Sequence, residues 1–259
     1  PYMKGKTALI TGSTSGIGLS MAREFAMAGY NLVLNSLEKE GPEITVAIGK
    51  ECGVETFFSG ANLLAPSEIE LMVNSSALRF GGIDVLVNNA GIQFVSPVKD
   101  FSLEKWNEVI SINLTAAFCT AKLVWHHMVE KKWGRIINIA SAHGLVASAY
   151  KSAYVASKHG LIGLTKTLAL EGAGEGITAN AICPGYVKTP LVEKQIADQA
   201  KAHNISEKEV EQKIMLEKHA VKQFVPGNSI SALALFLASD HASMITGSSF
   251  SIDGGWTAQ

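Results

Sequence analysis

The sequence lacks a charge excess of either sign: 22 Lys and Arg stand against 23 Asp and Glu in 259 residues, a formal net charge of −1. So even a balance gives no electrostatic basis for holding nucleic acid or an acidic membrane surface, and neither partner is expected. Cysteine is scarce as well. Cys52, Cys119 and Cys183 are odd in number and far apart. They form neither a disulfide framework nor a C-x-x-C metal or redox motif, and read as buried thiols in a reducing cytoplasm. No metal site is expected. Long apolar runs are missing, since LIGLTKTLAL is broken by Lys166 and SALALFLAS is short, so no bilayer-spanning segment is expected. The opening PYMKGK has no signal-peptide apolar region, and Pro1 and Tyr2 read as additions ahead of Met3. Low-complexity linkers and solenoid-length repeats are also absent, which leaves one domain over residues 1–259.

What is present is a steady alternation. Short apolar segments at 7–11, 31–35, 54–58, 83–88, 135–140, 178–182 and 249–252 read as strands. Helical periods fill 16–28, 40–51, 67–80, 103–131, 150–171 and 227–238. Strands apolar on both faces suit a parallel sheet covered by helices on either side, so the expected class is α/β with seven strands. Residues 189–224 depart from the alternation. They are charged, amphipathic and helical in period with a break near HNIS, and read equally as a surface hairpin or a mobile cover over a site.

After the first strand comes TGSTSGIG, whose Gly12, Gly16 and Gly18 lead into a helix. Glycine lets the backbone turn tightly against phosphate oxygens, and the helix start offers unpaired N–H groups to an anion. The spacing differs from G-x-G-x-x-G, but its place between first strand and first helix favours a dinucleotide. The second strand ends at Asn35 rather than an acid, Ser15 is neutral where a basic residue would meet a 2′-phosphate, and Lys39 adjoins Glu38. The balance points to NAD. NNAG at 88–91 closes the fourth strand and is placed to line the same crevice.

Tyr154 and Lys158 are four apart on one helix face. Tyrosine has a reference pKa of about 10, and bringing it near 7 takes roughly 4 kcal/mol. An ammonium about 4 Å away at an effective dielectric near 20 offers that order. Tyr150 and Lys151 lack such partners, so Tyr154 and Lys158 are the better catalytic pair. Ser141 follows a strand end thirteen residues earlier, where it could hold a substrate oxygen. Asn113, mid-helix in SINLTAAF, could bend that helix or hold a water against Lys158.

In order and spacing, TGSTSGIG, NNAG, Asn113, Ser141, YVASK and the PG at 184–185 resemble the short-chain dehydrogenase/reductase family over essentially the whole chain. The resemblance implies a single-domain, Rossmann-like doubly wound fold and hydride transfer with a nicotinamide. Tyr154 would be the acid/base and Ser141 the carbonyl-polarising group. Lys158 would depress the tyrosine and bind ribose, and Asn113 would anchor a water relay. It also implies a cofactor lying against Gly12, Thr14, Ser15, Gly16, Ile17 and Gly18. Further contacts would come from Asn35, from Asn62 and Leu63, from Asn89, Ala90 and Gly91, and from Pro184, Gly185, Val187 and Thr189, besides Tyr154 and Lys158.

Beyond these, Gln93, His143, Lys151 and Gln195 hang from elements that carry a family motif, and a cation with hydrogen-bond donors suits a small carboxylate. SAHGLVAS, KSAYVASKHG and VKTPLVEKQI resemble the branch of the family that acts on D-3-hydroxybutyrate, in which residues at these four positions grip the carboxylate. That branch implies Tyr186 and Trp256 as further pocket residues, 189–224 as a substrate lid, and a homotetramer built on the helices at 103–131 and 150–171. The chain departs from it at Tyr186, where a Trp is usual, at Asn62, where an Asp is usual, and in LNSLEKE. The expected activity is reversible NAD-dependent oxidation of (R)-3-hydroxybutyrate to acetoacetate. The alternatives are a 3-oxoacyl-thioester reductase and a non-catalytic NAD-sensing protein.

Overall fold

Seven strands form one sheet: β1 (Thr7–Thr11), β2 (Asn31–Asn35), β3 (Thr56–Ser59), β4 (Val85–Asn88), β5 (Gly134–Ile139), β6 (Ile177–Pro184) and β7 (Ser249–Ile252). Their order is β3-β2-β1-β4-β5-β6-β7 and every pairing is parallel. The computed structural model describes residues 5–258, except the side chains at 190, 191, 194, 198, 199, 202 and 203; Pro1, Tyr2 and Gln259 lie outside it. The connecting helices are α1 (Gly16–Met27), α2 (Gly41–Cys52), α3 (Pro66–Phe80), α4 (Leu103–Ile110), α5 (Ala116–Lys131), α6 (Ser152–Gly172), α7 (Pro190–His203), α8 (Glu207–Val210) and α9 (Gly227–Leu237).

Alternation along the strands divides the core between the two sheet faces. Ala8 and Ile10 of β1 meet Met21 and Phe25 of α1 and Ile230 and Ala234 of α9. Leu9 faces the other way, into a layer with Ile69 and Met72 of α3, Val124 and Met128 of α5, and Leu168 of α6. Both faces are therefore covered, which is why β1, β4, β5 and β6 are buried along their whole length. The chain leaves β1 toward β2 on one side, and β4 pairs on the other. That reversal opens a crevice at the carboxyl ends of the strands.

Three details differ from the sequence expectation. The 103–131 helix is interrupted by a π turn at Ser111–Thr115, centred on Asn113. Leu103–Lys131 is also long and apolar enough to cross a membrane by length and composition. Its apolar side instead packs on the sheet through Ala121, Val124 and Met128. Second, α6 starts at Ser152, because Tyr150 adopts a left-handed backbone (φ 67) and Lys151 is the N-cap (φ −123, ψ 35). Third, Cys183 is buried, but Cys52 and Cys119 are only half-buried, being at helix positions that face partly outward.

Residues 190–215 fold as helices broken at 204–206, as their period implies, and 216–224 continue as turns and irregular chain. Asn204 (φ 51) ends α7, a capping box of Ser206 and Glu209 starts α8, and a π turn follows at Glu211–Met215. The segment carries its own small apolar cluster of Ile196, Val210, Met215 and Leu216.

Candidate active site

The loop after β1 turns through Gly12 (φ 60) and Gly16 (φ 51), conformations that favour glycine. Asn89, just past β4, clamps it: Nδ2 donates to Thr11 O and Gly12 O at 2.9 Å each. The Asn89 and Ala90 N–H groups donate to Thr11 Oγ1 at 3.0 Å. A Cβ on Gly18 would fall 2.0 Å from Gly12 O, so only glycine lets α1 press onto this loop. The first turn of α1 has no side-chain cap and no acidic residue. Its leading N–H groups and positive dipole end are therefore uncompensated, a donor set that fits a pyrophosphate. Thr189, N-cap of α7, lies over the loop beside Gly16.

This loop opens one end of a cleft of about 660 Å³. Every cofactor residue expected from the sequence lines it: Gly12, Thr14, Ser15, Gly16, Ile17, Gly18, Asn35, Asn62, Leu63, Asn89, Ala90, Gly91, Tyr154, Lys158, Pro184, Gly185, Val187 and Thr189. Asn35 is nevertheless committed elsewhere. Its Nδ2 donates to Ser59 O (3.1 Å) and Ala61 O (3.0 Å), stitching β2 to the end of β3. The group that faces the cleft beyond Asn35 is Glu38, whose carboxylate accepts from Thr14 Oγ1. Glu38 is not among the cofactor residues expected from the sequence; its signal was an acid three residues past β2.

At the cleft floor, Lys158 is buried and its Nζ donates to Ile139 O at 2.8 Å. Nζ lies 5.7 Å from the centroid of the Tyr154 ring. Burial pulls Lys158 down to about 8, which still leaves the ammonium the main form at pH 7. Burial pushes the Tyr154 phenol up, its hydrogen bond with Ser141 opposes this, and Tyr186 adds to the rise. Ser141 Oγ also accepts the His143 N–H at 3.1 Å, which fixes the hydroxyl at the end of β5. Cys183 is pushed up to about 11 by the same burial and stays a thiol.

Asn113 does not line this cleft; it lies behind it. Its Oδ1 accepts the Ile92 N–H (2.8 Å), and Nδ2 donates to Ile92 O (3.0 Å) and Ser157 Oγ (3.0 Å). The π turn widens the helix enough to aim this amide at the strand-end loop, joining α6 to the segment after β4.

The opposite end of the cleft gathers Gln93, His143, Lys151, Tyr186, Gln195 and Trp256 beside Ser141 and Tyr154. Lys151 Nζ donates to Tyr186 Oη at 3.3 Å and lies 5.6 Å from that ring. Tyr186 stacks on Trp256 (5.6 Å, 12°), and Trp256 meets His143 edge-on at 4.9 Å. His143 Nε2 shares a hydrogen bond with Ser148 Oγ at 2.9 Å. Burial holds its imidazole down at about 3, with Lys151, Lys218 and His159 adding to the effect, so it is neutral. Asp253, unmarked by the sequence reading, accepts from Gly255 N and Thr257 N and Oγ1, and so shapes the turn that presents Trp256.

A parallel sheet with this switch-point cleft, and a serine, tyrosine and lysine at its floor, defines a nucleotide-dependent oxidoreductase. Residues 6–200 match the short chain dehydrogenase model, and the chain belongs to that family. It is similar to a D-beta-hydroxybutyrate dehydrogenase of Rhizobium meliloti, 53% identical over 98% of this chain and 99% of that protein. A protein of the same name from Cupriavidus necator is 48% identical over 99% of this chain and 100% of its own. Among solved structures, levodione reductase superposes with a TM-score of 0.91 at 32% identity, covering 99% of both chains.

Proposed function

We propose that this chain catalyses the reversible NAD-dependent oxidation of (R)-3-hydroxybutyrate to acetoacetate. The observation that carries the reading is the distribution of groups along one cleft. A proton-transfer phenol at Tyr154 and a separate cation at Lys151 stand on the same helix entry, with neutral His143 between them. A short acid whose alcohol carbon is two bonds from its carboxylate carbon needs both ends met at once. A thioester presents no charge there and gives Lys151 nothing to hold. The names of the Rhizobium meliloti and Cupriavidus necator relatives agree with this substrate.

The α1 start and glycine turn fit the pyrophosphate of a dinucleotide, and the cleft floor fits its nicotinamide end. When bound, that cofactor supplies the hydride acceptor or donor. The protein's own groups do the rest. Ser141 Oγ donates to the substrate oxygen, and Tyr154 Oη takes its proton in oxidation and returns it in reduction. Lys158 ammonium, held at the floor by Ile139 O, favours the phenolate against the burial that opposes it. Asn113 keeps the strand-end loop and α6 in register. Lys151 meets the carboxylate, while Gln93, His143 and Gln195 offer neutral hydrogen bonds around it. Glu38 favours NAD, because its carboxylate welcomes ribose hydroxyls and repels a 2′-phosphate. Segment 189–224 closes over the substrate, bringing Gln195 into contact.

The test is steady-state turnover of (R)-3-hydroxybutyrate, longer 3-hydroxy acids and acetoacetyl thioester with NAD and NADP. Tyr154→Phe should lower turnover by about 10²–10⁴. Preference for the thioester over acetoacetate would refute the substrate.

A further inference from the structure

One wall of the acid end is set by a residue that touches none of the reacting groups. His219 follows the helical segment over the cleft and is fully buried. Its Nε2 accepts the Tyr186 N–H at 3.2 Å. Six residues on, the Val225 N–H donates to Tyr186 O at 2.8 Å, so the 219–225 stretch holds both sides of the Tyr186 backbone. The His219 ring stacks on Tyr186 (6.1 Å, 24°) and leans on Trp256 (5.8 Å, 36°). It fits only because positions 185 and 254 are glycine: a Cβ there would lie 2.8 and 3.0 Å from the ring.

The imidazole is an acceptor at Nε2, so the neutral ring carries its proton on Nδ1. Burial draws its pKa below the usual range, which agrees with a neutral ring. The Gln223 backbone lies near enough to the ring to oppose the effect of burial, but among the described residues no group meets Nδ1 in full hydrogen-bonding geometry. A residue that merely filled space would be expected to be apolar, since a buried donor met only at poor geometry is unfavourable. The Nε2 bond is what this position gains in return. From Tyr186 the chain of contacts continues to Lys151, whose Nζ donates to Tyr186 Oη.

We propose that His219 is a positioning residue for the substrate carboxylate: it seats Tyr186, and Tyr186 Oη in turn places the Lys151 ammonium. This rests on the hydroxy-acid reading above. It makes Tyr186 an orienting group as well as a wall, and ties the acid end of the cleft to the segment that follows the lid.

The experiment compares His219→Gln, which can still present an acceptor to the Tyr186 N–H, with His219→Asn, which is too short to do so. Acetoacetate KM, kcat and NAD affinity are measured for each, alone and with Lys151→Ala. The expected result for His219→Asn is a KM raised about tenfold, with kcat and NAD affinity within about twofold. His219→Gln should recover KM to within about threefold of wild type, and in the Lys151→Ala background His219→Asn should add less than about twofold. An unchanged KM in His219→Asn overturns the proposal, as does an undiminished effect without Lys151. So does a His219→Asn protein that melts early or binds NAD weakly, which marks a residue of the fold alone. Wild-type protein that reduces no acetoacetate overturns the substrate reading instead, before any variant is made.

Discussion

Replacing Lys151 by Met keeps most of the side chain's length and removes its charge. In the structure Nζ is 3.3 Å from Tyr186 Oη at the half-exposed N-cap of α6, so the ammonium faces an environment between water and interior. Two unit charges about 4 Å apart attract by about 4 kcal/mol at an effective dielectric near 20, before the cost of partial desolvation. Hydrogen bonds to charged groups measure about 1.5–3 kcal/mol by mutation. Taking about 2–3 kcal/mol, acetoacetate KM should rise about 30–150-fold. Turnover at saturation should change little, because Tyr154, Ser141 and Lys158 are untouched, and NAD affinity should hold. A neutral acetoacetate ester supplies the control. Wild type should favour the acid over the ester, and Lys151→Met should erase that preference. An acetoacetate KM within about threefold of wild type, or an equal loss on the ester, would refute the electrostatic grip.

Glu38→Gln should narrow the preference for NAD over NADP by about tenfold, since it removes a charge beside the expected 2′ position while keeping a hydrogen-bonding side chain for Thr14; equal ratios before and after would relocate discrimination elsewhere. Tyr150→Gly should stabilise the protein by about 1 kcal/mol, because a left-handed backbone strains residues with a Cβ and that of Tyr150 is exposed; a lowered Tm would contradict it. Below pH 6.5 the unfolded chain protonates His143 while the fold resists until about pH 3, so unfolding takes up a proton in that window. Stability should thus fall as pH drops from about 6.5 toward 3, by about 3–5 kcal/mol, and the fall should shrink in His143→Asn; urea midpoints across that range would show an identical slope if the reasoning were wrong. Bound NAD and acetoacetate should protect 189–224 from proteolysis, and indifference to both ligands would argue against closure.

Much of the architecture was legible because it is local. Apolar runs such as IDVLVN and RIINIA announce strands covered on both faces, and glycines between β1 and α1 announce a tight turn at a helix start. The four-residue spacing of Tyr154 and Lys158 places them on one helix face whatever else surrounds them. Asn113 was visible as an amide at an awkward helical position, although its partners, Ile92 and Ser157, were not. Glu38 stood out less than Asn35, because nothing in LNSLEKE tells which polar group will be spent on the sheet. His219 gave no local signal at all.

Element types, their order and the identity of the chemical groups therefore followed from the amino-acid sequence alone, since backbone geometry and side-chain period act over a few residues. Which of those groups remain free to meet a ligand was decided only by the tertiary structure. Asn35 spends its amide on Ser59 and Ala61, while Glu38 faces the cleft and His219 reaches Tyr186 from 33 residues away. A donor or acceptor is used up by whatever chain the fold brings beside it, and that neighbour is set by packing across the whole molecule.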